Sequence, residues 1–178
     1  MVSPAGGPCD CSVSPVTVRP IRIFGDPVLR TISEEVVLGN PAAAALVTDL
    51  IDSVRLPGRA GVAACQIGVN LRVFSLNIDG AISVVINPEL VAVAGELELV
   101  DEGCLSVPGL QFPRRRYPFA TVTGVDLAGD VVTLSGSGLM AQALQHELDH
   151  LNGHLFIEGL DKASKKEAMR QIRGSSWF

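Results

Sequence analysis

The sequence has no apolar run long enough to span a membrane, and residues 1–15 have neither the cationic start nor the apolar stretch of a secretory signal. These absences argue against a membrane partner and leave the cytoplasm as the expected location. Four cysteines in 178 residues, 47% of them hydrophobic, do not make a disulfide framework in a chain that has ample material for a core. We therefore expect free thiols.

An excess of positive charge is also missing. The formal net charge is −5 and the pI is near 5.1, which argues against DNA binding and against broad coating of nucleic acid. No repeat or linker is evident, so the length predicts one catalytic domain over residues 17–178. Residues 1–16 are rich in Gly, Pro and Ser and are expected to form a flexible tail, in which Cys9 and Cys11 alone are weak evidence for a metal site.

Short strand patterns dominate the middle of the chain. Residues 16–23 are rich in β-branched side chains and predict a first strand, followed by a turn and a short helical piece at Pro27. Residues 129–130 predict a hairpin turn. Further strands, separated by Gly, Pro, Asn or Asp, are predicted at residues 71–76, 82–86, 89–93, 96–100, 121–126 and 131–134.

Helical patterns lie nearer the two ends. Asn40 begins an amphipathic helix that stops near Pro57, and residues 139–151 have the pattern of one continuous helix. Ser164 has the capping-box spacing that would start a last helix, reaching about Arg173. These patterns predict an α+β fold in which mixed, mainly antiparallel short strands pack around a central helix, with one helix N-terminal and one C-terminal to them.

The most informative pattern, His146-Glu147-Leu148-Asp149-His150, lies in that central helix. Residues four apart share a helix face, so His146 and His150 are placed to bind one metal ion. A metal held in this way lowers the pKa of a bound water, and Glu147 is placed to take the proton of that water. The pattern predicts a hydrolase.

Chance must be weighed against this interpretation, because a His or Glu on a helix is usually just solvated. Here apolar residues lie on more than one side, as in a buried helix, and Gly153 stands where a C-terminal cap is expected. Burying two imidazoles and a carboxylate without partners would cost several kcal/mol. A metal removes that cost, so metal binding is favoured over coincidence.

A catalytic metal with two imidazole ligands needs a third protein ligand. His154 is the nearest candidate, but it follows Gly153, beyond the expected end of the helix, which favours a surface role. The longer zinc-protease pattern requires a histidine where this chain has Phe156. Cys104 lies in a polar, glycine-containing turn; free cysteines are more often buried and inert, yet these neighbours do not suit a core. The residues favour Cys104, whose thiolate leaves the fourth position open for water.

With Cys104 as a ligand, the chain resembles the peptide deformylases. Three signatures of that family occur in the usual order: GVAACQ at residues 61–66, EGCLS at residues 102–106 and QHELDHLNG at residues 145–153. The resemblance covers roughly residues 18–160, and three spaced signatures are far more specific than any one of them.

The resemblance implies removal of the formyl group from the N-terminal formyl-methionine of newly made proteins, with release of formate. It implies one divalent metal ion, ferrous iron in the cell, with zinc, nickel or cobalt as substitutes. The ion would be held by Cys104, His146 and His150, and Glu147 would act first as a base and then as an acid.

Further site residues follow from the same resemblance. The side-chain amide of Gln66 and the backbone N–H of Leu105 would stabilise the negative charge that develops on the formyl oxygen. Gly61 would let the substrate backbone approach closely, and Glu102 and Gly103 would shape the neighbouring wall of the substrate site.

The chain departs from the family at residues 59–61, Arg-Ala-Gly, where the first signature normally begins Gly-x-Gly. Arg59 does not readily adopt the positive φ angles open to Gly, and Ala60 is smaller than the usual Val or Ile, so a reshaped entrance or a roomier side-chain pocket is expected. An altered entrance leaves open a related amidase or peptidase. A non-catalytic binding paralogue is disfavoured by the intact Glu147.

Two partners are expected from the resemblance. The first is the formylated nascent peptide itself. The second is the ribosome, because in relatives a C-terminal helix docks near the exit for nascent chains, although most basic clusters are merely solvated. The basic residues of the predicted last helix are Lys162, Lys165, Lys166, Arg170 and Arg173.

Overall fold

The described part of the chain, residues 18–178 of a computed structural model, forms three α-helices, seven strands and three short 3-10 helices. The predicted tail, with Cys9 and Cys11, lies outside these residues. The α-helices are α1 (Pro41–Val54), α2 (Leu139–Leu151) and α3 (Lys162–Arg173), and the 3-10 helices are Pro27–Arg30, Ala64–Ile67 and Phe156–Gly159. The strands are β1 (Gly61–Ala63), β2 (Val73–Ile78), β3 (Ala81–Ala94), β4 (Glu98–Cys104), β5 (Val107–Arg116), β6 (Phe119–Val125) and β7 (Val131–Ser137). Across residues 18–178, no helix has both the length and the apolar character needed to cross a membrane.

Five strands form one antiparallel sheet in the order β1-β2-β3-β6-β7, and β4 pairs with β5 in a separate two-stranded sheet. This arrangement confirms the predicted α+β class with mainly antiparallel strands. The strands predicted at residues 82–86 and 89–93 are one strand, β3. The turn signal between them marks a register shift between Ile86 and Glu89, where Asn87 has a φ of 50°. Such a bulge interrupts the ladder without ending the strand.

The predicted first strand, residues 16–23, is wrong over the part that the structure describes. Residues 18–23 form no ladder, and the N–H of Arg22 donates instead to the carbonyl of Gln66, which lies in a 3-10 helix and not in a strand. The sequence pattern also does not predict β5, since its two prolines and Gly109 signal turns. In a two-stranded sheet one edge of β5 needs no partner, so proline is tolerated there.

The helix starts follow local capping. Pro27 opens a 3-10 helix and Asn40 caps α1, both as predicted. The predicted capping role of Ser164 is wrong, because α3 begins two residues earlier. Its cap is Asp161, whose carboxylate accepts hydrogen bonds from the N–H groups of Ala163 and Ser164 at 2.8 and 3.1 Å. A carboxylate at Asp161 therefore satisfies two free N–H groups that Ser164 would have left to water.

The central helix α2 packs against the five-stranded sheet and carries the metal-binding pattern. Its buried residues Leu144 and Leu148 belong to one core cluster with Phe74 of β2. Gly153 follows the helix with a φ of +77°, and a Cβ there would lie 2.8 Å from the carbonyl oxygen of Arg30. The glycine therefore both ends the helix and lets the chain pass close to the N-terminal segment.

Candidate metal centre

Two elements that are far apart in sequence bring together three side chains of the types that bind metals. His146 and His150 lie one turn apart on α2, and Cys104 is the last residue of β4. The Sγ of Cys104 lies 3.2 Å from Nε2 of His150, which lies 3.1 Å from Nε2 of His146. All three ligand atoms lie within 4.8 Å of one another. The trio predicted from the sequence therefore converges on one point.

The polar atoms at this point fit a divalent cation. A thiolate and two imidazoles form a donor set of the kind that binds zinc or iron and leaves a fourth position open. Burial would raise the pKa of Cys104, but the neighbouring charge of His150 and hydrogen bonds with both imidazoles hold it well below the usual value. The two imidazoles therefore favour the thiolate form of Cys104, which is the form that binds metals.

His146 is oriented by a buried ion pair. Its Nδ1 lies 2.7 Å from the carboxylate of Glu102, which leaves Nε2 for a metal. Glu102 is 2% exposed and accepts two hydrogen bonds from Arg116, at 2.7 and 2.6 Å. Burial alone would raise the pKa of Glu102, but Arg116 and His146 lower it to about 2. Arg116 also lies 2.8 Å from Asp149, on the same helix as the ligands.

Sequence reasoning does not identify Arg116 and Asp149 as part of this site. The three consecutive arginines 114–116 have the composition of a solvated basic run. A usable signal lies in strand alternation, because Arg114 and Arg116 share one face of β5 while Arg115 lies on the other. Both inward-facing arginines bind the carboxylate of Asp149.

Glu147 lies beside the three ligands and is 2% exposed. Burial raises its pKa to about 7, against the opposing effect of His146 and His150. A Cβ built on Gly61 would lie 2.8 Å from Cδ of Glu147, so only glycine leaves room for this carboxylate. The structure thus gives Gly61 a contact with Glu147 in addition to the substrate contact predicted from the sequence.

Gln66 is 1% exposed and fixed in place, unlike an ordinary surface amide. Its Oε1 accepts a hydrogen bond from the N–H of Ala63 at 2.9 Å, and its Nε2 donates to Oγ of Ser106 at 3.2 Å and lies 3.6 Å from Sγ of Cys104. Leu105, the second predicted oxyanion donor, directly follows the cysteine and is half-buried.

These groups line a cleft of about 610 Å³. Its walls contain every site residue predicted from the sequence apart from the buried His150, namely Gly61, Gln66, Glu102, Gly103, Cys104, Leu105, His146 and Glu147. The rejected ligand candidates lie elsewhere: the side chain of His154 is 58% exposed beside Glu158, and Phe156 is buried in a core cluster. Cys65 is fully buried, and burial raises its pKa to about 12.

Comparison with known proteins agrees with this geometry. Residues 18–166 match the family model described as polypeptide deformylase. The chain is 46% identical over 162 residues to a peptide deformylase of Acidothermus cellulolyticus, covering 91% of this chain and 89% of that one. A peptide deformylase structure from Legionella pneumophila aligns with a TM-score of 0.83 at 35% identity, over 89% of this chain and 95% of that chain. A peptide deformylase structure from Ehrlichia chaffeensis, in complex with actinonin, aligns with a TM-score of 0.82 at 31% identity, over 90% of this chain and 98% of that chain. The chain therefore belongs to the polypeptide deformylase family of hydrolases.

Proposed function

We propose that this chain removes the N-formyl group from the N-terminal formyl-methionine of newly made proteins and releases formate. The main support for the proposal is that Cys104, His146 and His150 lie close together in a cleft, beside the buried carboxylate of Glu147. A divalent ion held by the three ligands would supply Lewis acid chemistry, lowering the pKa of water and polarising a carbonyl.

Glu147 moves the proton. In its ionised form it accepts a proton from the attacking water, and it then donates that proton to the amine that leaves when the C–N bond of the formamide breaks. A pKa of about 7 suits both roles near neutral pH. The close packing of Glu147 on Gly61 limits the positions that the carboxylate can occupy.

Gln66 and Leu105 stabilise the negative charge that grows on the former formyl oxygen. The amide of Gln66 is held by the N–H of Ala63 and the hydroxyl of Ser106, so its Nε2 is preorganised beside Cys104. The backbone N–H of Leu105 is the second donor. Donors fixed before the reaction need no reorganisation when the charge develops.

The peptide binds in an extended conformation between two strand edges. Within residues 18–178, β1 pairs only with β2, and β4 pairs only with β5, so each has a free edge. Gly61 of β1 and Glu102 and Gly103 of β4 line the cleft, where backbone hydrogen bonds to an added strand would hold a substrate. Leu110 and Leu139 also line the cleft and offer apolar surface to the methionine side chain.

Ferrous iron is the proposed ion in the cell, although thiolate and imidazole ligands suit zinc, nickel and cobalt as well. Purification without oxygen followed by elemental analysis tests this assignment: iron at about one equivalent per chain supports it. Zinc in iron's place would contradict it. The proposed location is the cytoplasm, and residues 17–178 are proposed to act as one catalytic domain.

The ribosome is a proposed partner through α3. The buried face of this helix contains Ala168 and Ile172, which leaves Lys165 and Lys166 exposed. Attraction to RNA phosphates would be weakened by salt. Co-sedimentation with ribosomes that falls with salt and with K165E/K166E supports the proposal, and binding that neither change affects contradicts it.

Two other functions share much of this geometry, a metal-dependent amidase with a different acyl preference and a non-catalytic binding module. An intact Glu147 disfavours the binding module, since binding alone needs no acid–base group. Formate release from formyl-Met-Ala, compared with release of the acyl group from acetyl-Met-Ala, distinguishes the three functions. A deformylase should release formate from formyl-Met-Ala and should not release the acyl group from acetyl-Met-Ala. Glu147→Ala should stop formate release while the metal content stays unchanged.

A further inference from the structure

Arg59 is a cation at the wall of the catalytic cleft. It is half-buried, and its Nη1 donates a hydrogen bond to the carbonyl of Ser53 at 3.0 Å. Ser53 lies in the last turn of α1, where carbonyl groups carry a partial negative charge. The other guanidinium N–H groups of Arg59 make no hydrogen bond or ion pair with any residue of the described range, 18–178. One end of the side chain is therefore fixed, while the other N–H groups are open to a ligand.

The backbone explains how an arginine fits here. Gly58 has a φ of +78°, and among non-glycine residues only Asp79 and Asn87 have positive φ in the described chain. The left-handed position is therefore taken by Gly58, and Arg59 has an ordinary backbone conformation. The departure from the usual Gly-x-Gly thus places a charged side chain in the cleft without backbone strain.

Arg59 lies on the substrate side of the reaction centre. It is two residues before Gly61, which contacts Glu147. Two residues of chain span at most about 7 Å. This step rests on the proposed function, in which an extended peptide lies along β1 with its formyl-methionine at the metal site. The second or third residue of that peptide then lies opposite Arg59.

We propose that Arg59 is a specificity-determining residue that favours formylated peptides with a carboxylate side chain at the second or third position. The planar guanidinium presents paired N–H groups that match a carboxylate. Two other charged residues line the same cleft outside the catalytic group. Glu102 is already paired with Arg116, and Asp101 is exposed on the β4 side of the cleft, so Arg59 is the cation of the cleft wall that remains open to a carboxylate.

The test compares kcat/KM for formyl-Met peptides that differ only by Glu or Gln at the second or third position, at low salt. A partly exposed ion pair predicts a preference for Glu of about two- to fivefold at one of these positions. The preference is expected to disappear in Arg59→Gln, to persist in part in Arg59→Lys, and to decline with added salt. Arg115→Gln is the matched control, because Arg115 is exposed on β5 and away from the cleft, and it should retain the full preference.

Two results would overturn the proposal: equal rates for the Glu and Gln peptides with the unmodified enzyme, or a Glu preference that survives in Arg59→Gln. The Gln peptides also report whether each variant is folded and active. Failure of the proposed function is separate, since it would appear as no formate from any peptide.

Discussion

Replacement of Arg116 by Met should strongly destabilise the protein, because it removes one partner of a buried ion pair. Arg116 is 5% exposed and makes two hydrogen bonds to Glu102 and a third contact with Asp149. Loss of one member of such a pair leaves an uncompensated buried charge, which costs about 3–5 kcal/mol in the free energy of unfolding. The pKa of Glu102 gives a similar magnitude. Its fall from 4.5 to about 2 corresponds to about 3 kcal/mol of favourable interaction, part of it with His146.

The pH dependence has a definite sign. A carboxylate whose pKa is lower in the folded state contributes stability above its unfolded pKa and loses that contribution as the pH falls through the folded value. The difference in stability between the unmodified protein and Arg116→Met should therefore be full above about pH 5 and shrink toward pH 2. Metal affinity should also fall about 10- to 100-fold, because Glu102 no longer fixes His146 as firmly.

Urea unfolding followed by circular dichroism, with and without a chelator, measures both effects. Arg115→Met on the exposed face of the same strand is the control and should change stability by less than about 0.5 kcal/mol. A loss below about 1 kcal/mol for Arg116→Met at neutral pH, together with unchanged metal affinity, would refute the reasoning about the buried pair.

Three further predictions concern the cleft and its surroundings. Gln66→Met should lower kcat about 10²- to 10³-fold while metal content stays the same, because it removes one oxyanion donor; a change below about threefold in formate release would contradict that role. Ala60→Val should increase the preference for formyl-Met over bulkier first residues, measured as a ratio of kcat/KM values, and an unchanged ratio would mean that Ala60 does not widen the pocket. Cys65 should resist iodoacetamide up to about pH 10 in the folded protein, since it is fully buried and its pKa is about 12; rapid labelling detected by mass spectrometry would show that this region opens.

The elements that could be predicted from the sequence are those fixed by local chemistry. The helix α2 follows from its apolar pattern and from Gly153, and the ligand pair follows from the helix period. Cys104 required one more step, the need for a third ligand next to a polar turn. In each case, neighbouring residues in the chain carry the information.

The elements that could not be predicted from the sequence depend on contacts between segments that are distant in the chain. Residues 107–116 contain turn-forming residues and become a strand only because β4 lies beside them. The link from His146 through Glu102 and Arg116 to Asp149 joins β4, β5 and α2, and no local pattern encodes that meeting. Residues 18–23 are the opposite case. Their composition predicts a strand, but no neighbouring strand pairs with them.

Titration of the metal-free protein with Co²⁺, followed by absorption spectroscopy, tests the metal centre most directly. The geometry predicts one ion per chain and a thiolate-to-metal charge-transfer band that Cys104→Ser abolishes. A Cys9→Ser/Cys11→Ser protein is expected to keep the band, because Cys104 is the proposed thiolate ligand. A band that survives in Cys104→Ser, or Co²⁺ binding that does not depend on His146 and His150, would contradict the shared site on which the proposed hydrolysis depends.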